Sequence, residues 1–357
     1  MTEQTYKKQD RNLFEPQRTM MYALVVIVVL VIGCLGSTFS VASDFAQDYL
    51  AASAIRDGRS ANAPLVQLAR IYGVPESAVT SFQNAHPPLA ILWAAPFTYF
   101  SWDTARFLWS IQLMVLAGIF LMIRPVRLID FILLSPAWIF GLAVGNVDMV
   151  VIGLVLTAVS SFPSIGVSIL LGLAAALKVY PLFLIAGLLA MRRYFLFFTA
   201  LIFGALPTLL GMVYIGFGNF IGWLLYLPHN INLYSLSAFN LSLAKVTTLL
   251  KIGHVPLIIL GALMIYVQRR QKKINPLLPG MLLVSPLAWL HQILFLSHRL
   301  NFSELLGCSI CCLLIYAFGL SDLPQKSFVC SLCSVLLTLI ILEVYIRLFY
   351  EGRTKQP

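Results

Sequence analysis

The segment MMYALVVIVVLVIGCLGSTFSV, residues 20–41, contains no charged side chain. A helix crossing a bilayer needs about 20 mostly apolar residues, so this run is long enough to span. The nineteen residues before it carry Lys7, Lys8, Arg11 and Arg18. Basic residues gather on the cytoplasmic side of a span, which makes residues 1–19 a cytoplasmic arm and sends the chain outward at residue 41. The polar arm and the absence of a small-residue cleavage site after the run argue against a cleavable signal.

Outward from this segment the pattern repeats to Tyr350. The 357 residues are 60% hydrophobic and 11% charged, with a mean hydropathy of +0.89, whereas soluble domains carry about 25% charged residues. The chain therefore reads as one polytopic, all-α integral membrane domain. That excludes a coiled coil, a disordered chain, a nucleic-acid binder and a disulfide-stapled secreted module. The excess of 24 Lys and Arg over 14 Asp and Glu has an ordinary cause in cytoplasmic loops. Cys34, Cys308, Cys311, Cys312, Cys330 and Cys333 all lie in apolar runs. Cys308/Cys311 and Cys330/Cys333 have metal-like spacing, but no His stands near either pair, so they read as small apolar fillers.

Positive charge arranges the rest into about 10–12 spans. Residues 43–101 form a long first extracytoplasmic loop with interfacial helices at Pro64–Tyr72 and Pro75–Phe82. It ends in His86–Phe100, too short and too rich in proline for a full span, which is expected to dip in and return. Trp102–Ile123 then runs inward to Arg124 and Arg127, and Leu128–Val144, Val147–Ser160, Ile165–Leu177 and Pro181–Met191 alternate down to Arg192 and Arg193. Tyr194–Ile215 leads to a second outer loop at 216–253, rich in Trp, Tyr, Asn and His. His254–Val267, Pro276–Leu290, a short segment from His291 to Arg299, Glu304–Phe318 and Ser327–Leu348 complete the bundle. On this plan 16 of the 24 basic residues face the cytoplasm.

The polar residues that interrupt apolar runs collect on the opposite face, and ionisable groups at such breaks are expensive and usually functional. Asp44 and Asp48 follow the first span; His86 opens the re-entrant segment; Asn146 and Asp148 break one hairpin and Lys178 and Tyr180 the next; His229 sits in the second loop; Trp289 and His291 end a late run. Each also has a plainer reading. Asn146 and Asp148 make good helix caps, Lys178 is long enough to snorkel to headgroups, His86 before two prolines suits a residue that only shapes the chain, and Arg56 and Arg59 suit headgroup contact. Asp44 and His291 have no evident packing role.

In order, Asp44-Phe45 with Asp48-Tyr49, His86-Pro87-Pro88-Leu89, Ala105 with Trp109, Gly145-Asn146 with Asp148, Leu177 to Pro181, and Ser285 to His291 form a series of signatures. They resemble the membrane-embedded GT-C glycosyltransferases that use polyprenyl-phosphate sugars, and among them family 87, which includes mannosyl- and arabinofuranosyltransferases of the cell envelope. Asn146 stands where that family commonly has Gln, and Gln292 where a second His or other polar group often follows the late His.

The resemblance implies transfer of a hexosyl or pentosyl unit, mannose foremost, from a polyprenyl-phosphate sugar to a lipid or glycan acceptor. The reaction would take place on the extracytoplasmic face of the plasma (inner) membrane, with inversion at the anomeric carbon. Asp44 matches the catalytic base. Lys178, His291, His229, His86 and Arg56 are candidates for the donor phosphate and sugar; Asp48, Tyr49, Asn146, Asp148, Tyr180 and Trp289 for acceptor or sugar contacts or for support. Trp93, Trp223, Tyr226 and Trp289 suit either sugar stacking or an interfacial belt. A Mg or Mn ion between Asp44, Asp48 and phosphate fits hard-oxygen chemistry, but no dedicated cage is present, and no obligatory metal is expected. A transporter or flippase of a lipid-linked sugar or another solute is the alternative. Broken segments suit carriers too, but the polar residues sit at one face and no matching repeats are found.

Overall fold

The computed structural model describes residues 16–39, 43–79, 82–123, 126–160, 164–235, 237, 240–269, 274–285, 288–319 and 326–354. Among them the protein is helical, with one isolated antiparallel bridge between Asn240 and Trp289. The chain opens with α1 (Pro16–Phe39), α2 (Ser43–Arg56), α3 (Leu65–Tyr72) and α4 (Pro88–Ala94), which continues as a 3-10 turn over Ala95–Tyr99. Next come α5 (Trp102–Ile123), α6 (Leu128–Leu133), α7 (Ser135–Ala143), α8 (Asp148–Val159), α9 (Ile165–Leu177), α10 (Leu182–Ala190), α11 (Tyr194–Ile215) and α12 (Phe217–Ser235). The last are α13 (Ala244–Leu249), α14 (Val255–Gln268), α15 (Leu278–Val284), a 3-10 segment Leu290–Leu296, α16 (Phe302–Gly319) and α17 (Lys326–Thr354).

Helix α5, α11 and the Phe328–Glu351 part of α17 are long and apolar enough to cross a membrane, and shorter apolar helices lie at Tyr22–Gly36, Asp148–Val159, Ile165–Leu177, Val255–Val267 and Phe302–Ile315. Their outer faces leave Phe195, Leu210, Val213 and Ile258 more than half exposed. So large an apolar surface would be anomalous in water and is what lipid requires. The protein is a polytopic α-helical membrane protein.

Helix α1 packs on α5 and α7, α9 on α8 and α11, and α16 on α17. The α9–α11 crossing is set by glycine: a Cβ on Gly172 would come 2.4 Å from the Ala200 carbonyl oxygen, so only hydrogen fits, as in close helix pairs within bilayers. Two ends of the bundle are thereby defined. At one, the Tyr22 hydroxyl accepts from the Val126 N–H at 3.2 Å, and Arg347 donates to the Arg299 carbonyl at 2.6 Å and to Glu304 at 2.9 Å. At the other, about 33 Å away along α5, α2 begins against the α7–α8 turn, with the Asp44 N–H on the Val144 carbonyl at 3.1 Å.

The first expected loop is largely helical. Ala46, Ala51, Ala52 and Ala54 favour helix, and Asp44 in the first turn and Arg56 in the last complement the α2 dipole. The segment 86–100 lies along this helix. His86 is tied to Asp48 at one end, and the Thr98 and Phe100 carbonyls accept from Arg56 and Tyr49 at the other. Asp48 and Arg56 are only about 12 Å apart along the helix axis, against a hydrocarbon core of about 30 Å. The expected second loop, 216–253, is helical over Phe217–Ser235 and Ala244–Leu249. At its start Asn62 donates to the Asn219 carbonyl at 2.8 Å, and the Asn219 side chain to the Ile215 carbonyl. The expected spans Leu128–Val144 and Pro276–Leu290 are each broken, the first at Leu134 and the second after Val284.

Candidate active site

The site grows from the turn between α7 and α8. Gly145 has φ +69°, the Asn146 N–H donates to the Gly141 carbonyl at 3.1 Å, and the Gly145 N–H to that of Leu142 at 3.0 Å. That pairing is the Schellman motif, with glycine at its left-handed position. The Trp109 indole donates to the Gly145 carbonyl at 2.9 Å, and a Cβ at Gly145 would meet Phe45 at 2.9 Å. The turn therefore seals one helix and delivers Asn146 and Asp148 to the bundle end.

Asn146 takes the capping role. Its Oδ1 accepts the Asp148 N–H at 2.8 Å and its Nδ2 donates to Asp44 Oδ2. The Asp148 side chain is left for a different purpose. It is fully buried and accepts from Tyr180 Oη at 3.0 Å and from Gln292 Nε2 at 2.7 Å, with His291 Nε2 at 2.9 Å. Lys178, at the end of α9 and nine-tenths buried, acts on the same carboxylate electrostatically. Burial, with Asp148 beside it, pushes the Tyr180 phenol well above its ordinary value, so it remains a neutral donor. His291 Nδ1 and Gln292 Oε1 are buried with no hydrogen-bond partner among the described residues.

On the α2 side, Asp48 is 1% exposed, with His86 Nδ1 at 2.8 Å and Asn84 Nδ2 at 3.2 Å. Asn84 also donates to the Gln47 carbonyl at 3.1 Å. The Gln47 side chain accepts from the Ala85 N–H and donates to Asp44 Oδ1, both at 3.4 Å. One hydrogen-bonded network thus runs from His86 through Asp48, Asn84, Gln47, Asp44 and Asn146 to Asp148, His291, Gln292 and Tyr180. Among its three acids Asp44 alone is partly exposed, and its side chain is met by two neutral amides.

Other expected residues lie apart. Tyr49 is buried, donates to the Phe100 carbonyl at 3.0 Å and packs on Phe45 and Trp102. Arg56 stands about 18 Å along α2 from Asp44 and holds Asp57 at 2.9 Å. That hydrogen bond keeps the Asp57 carboxyl below its usual range. His229 is exposed against Tyr226. Trp289 is half-buried and bridges to Asn240, whose Oδ1 accepts the Ala288 N–H at 3.0 Å and so fixes the approach to His291. Trp93 packs edge-on against Trp109, and Trp223 donates to the Ala85 carbonyl at 3.3 Å. Among the described residues no three His, Cys, Asp or Glu side chains converge as a metal-binding group. Sequence reasoning passed over Gln47, Asn84 and Asn240. Gln47 adjoins the marked Asp48, and an amide two positions before His86 was the available signal for Asn84.

Residues 84–315 match the model of glycosyltransferase family 87. No curated protein and no solved structure matches the chain. The matched region includes His86, Asn146, Asp148, Lys178, Tyr180 and His291 and begins after Asp44 and Asp48. It covers more than half of the sequence: this chain belongs to glycosyltransferase family 87 and is a membrane glycosyltransferase.

Proposed function

We propose that the protein transfers a sugar, mannose foremost, from a polyprenyl-phosphate carrier to a lipid or glycan acceptor at the extracytoplasmic end of the bundle, with inversion and with Asp44 as the base. The observation that supports this most is the unequal exposure of the three networked acids. Asp48 and Asp148 are enclosed by His86, Asn84, His291, Gln292 and Tyr180, whereas Asp44 keeps an open side.

The acceptor oxygen attacks the anomeric carbon as the bond from that carbon to the phosphate oxygen breaks. The electron pair leaves on polyprenyl phosphate, and the hydroxyl proton passes to the Asp44 carboxylate. The proton transfers late, after the hydroxyl has become acidic through bonding to carbon. A single displacement needs one carboxylate, unlike the pair used by retaining glycosidases.

Charge growing on the leaving phosphate requires fixed donors. In this reading Lys178 supplies a cation and His291 the unpaired Nδ1. With His291 Nε2–H given to Asp148, a proton on Nδ1 makes an imidazolium, a charged donor toward phosphate oxygen. His86 is held by Asp48 through its Nδ1 from the α2 side. No metal is required, so transfer should persist in excess EDTA.

The test is Asp44→Asn in purified full-length protein, assayed with a panel of radiolabelled polyprenyl-phosphate sugars. Transfer from one donor in the wild type, lost in a variant with an unchanged unfolding midpoint, is the expected result. Undiminished transfer would remove Asp44 from the base role, and solute uptake by proteoliposomes without glycosyl product would replace the reading with a carrier.

A further inference from the structure

From Met149 to Ser303 the chain contains no Asp or Glu, while Lys178, Arg192, Arg193, Lys245, Lys251, Arg269, Arg270, Lys272, Lys273 and Arg299 all fall within it. Two of these meet at one place. The turn after α10 and the end of α14 enclose a cleft of about 280 Å³ lined by Ala190, Met191, Arg192 and Arg269. Arg192 lies about 18 Å along the helix direction from Tyr180, so the cleft is distinct from the Asp148 cluster.

The backbone at Arg192 is unusual. Its N–H donates to the Leu189 carbonyl at 2.9 Å, the Arg193 N–H donates to that of Leu188 at 2.9 Å, and φ is +57°. This is again a Schellman turn, as at Gly58 and Lys251, and the left-handed position that glycine normally fills holds an arginine here, as it holds a lysine at Lys251 with φ +56°. An L-residue there is strained, and such strain persists at sites where another requirement holds it. Across the cleft the Arg269 guanidinium lies 3.4 Å from the centroid of the Tyr266 ring, which fixes its plane. Neither arginine has a carboxylate partner among the described residues. Tyr194, Phe195 and Tyr266 around the cleft are each more than half exposed, as aromatic rings at a membrane interface are.

We infer that this cleft binds the phosphate headgroup of an anionic membrane lipid. Arginine forks match phosphate oxygens, basic pockets between membrane helices hold such headgroups, and the exposed aromatic rim places the ligand in the bilayer rather than in free solution.

The test uses the full-length protein in detergent. Saturating phosphatidylglycerol should raise the unfolding midpoint by roughly 5 °C, and phosphatidylcholine should not. Arg269→Gln should abolish the rise. Arg192→Gly should abolish it while leaving the lipid-free midpoint equal or higher, because glycine relieves the strained turn, and this separates lost binding from lost folding. Arg70→Gln, a surface change on α3, should keep the full rise. An undiminished rise in Arg192→Gly and Arg269→Gln, or an equal rise with phosphatidylcholine, would overturn the site. An equal rise with inorganic phosphate alone would overturn the lipid assignment.

Discussion

Asp44, Asp48 and Asp148 are the same residue type within one network, and their surroundings divide them. Asp48 and Asp148 are enclosed by donors, which suits acids that orient other groups; Asp44 touches only neutral amides. Replacing Asp148 by Asn should lower kcat by about 100-fold, since a donor loses its fixed orientation. It should also destabilise the protein by about 3 kcal/mol, because a buried partner of His291 is lost; steady-state kinetics and thermal unfolding would report the two effects. Asn146→Ala should lower kcat about 10-fold with little change in KM, because the hydrogen bond it removes orients Asp44, the proposed base, rather than the substrate. The sequence marked Asp44, Asp148 and His291 because an ionisable group breaking an apolar run is costly. It already set Asp44 and His291 above Arg56, which suits headgroup contact, but could not show that Arg56 and His229 lie apart from the network, since separation along a helix and exposure are properties of the folded chain.

At the scale of elements, the α7–α8 turn and the α9–α11 crossing carry the arrangement. Gly145→Ala would place an L-residue at φ +69° and a methyl 2.9 Å from Phe45. The left-handed conformation alone costs about 1–2 kcal/mol, and activity should fall with stability because Asn146 and Asp148 follow directly; transfer assays beside thermal unfolding would show the parallel loss. Gly172→Leu, which nothing at the site touches, should instead lower the midpoint of the whole bundle. Helices α5, α9 and α11 were legible because uninterrupted apolar runs end at clear polar or glycine signals. Helix α12 was not, since its Trp, Tyr, Asn and His resemble a loop, and the contact of Asn219 with Ser60 and Asn62 that anchors its start is long-range. Helix α2 was also missed, although its alanines and terminal charges were visible.

For the whole molecule, the positive-inside plan places the Tyr22–Arg127–Arg299–Arg347 end in the cytoplasm and the Asp44 end outside. The described native cysteines are buried, so single introduced cysteines give a clean measurement. Asn219→Cys should react with an impermeant thiol reagent added to intact cells, and Arg193→Cys only after permeabilisation; the reverse pattern would invert the orientation. The polytopic helical class follows from composition, whereas the break after α15, which packs on α17 and α14, and the 3-10 segment at His291, which packs on α7 and α8, depend on contacts that no local pattern encodes.

Those contacts also set a timetable for synthesis. Asp148 and His291 are 143 residues apart in the chain, which at about 5–20 residues per second corresponds to roughly 7–30 s of translation. During that interval α8 is already made and Asp148 still lacks two of its three hydrogen-bond partners. Until the ribosome supplies His291 and Gln292, the nascent protein must therefore hold a carboxylate served only by Tyr180 and the Lys178 charge, at a water-accessible edge or exposed to quality-control proteases. A slow codon run just upstream of residue 291 should shorten the lifetime of the newborn chain more than one placed after residue 300.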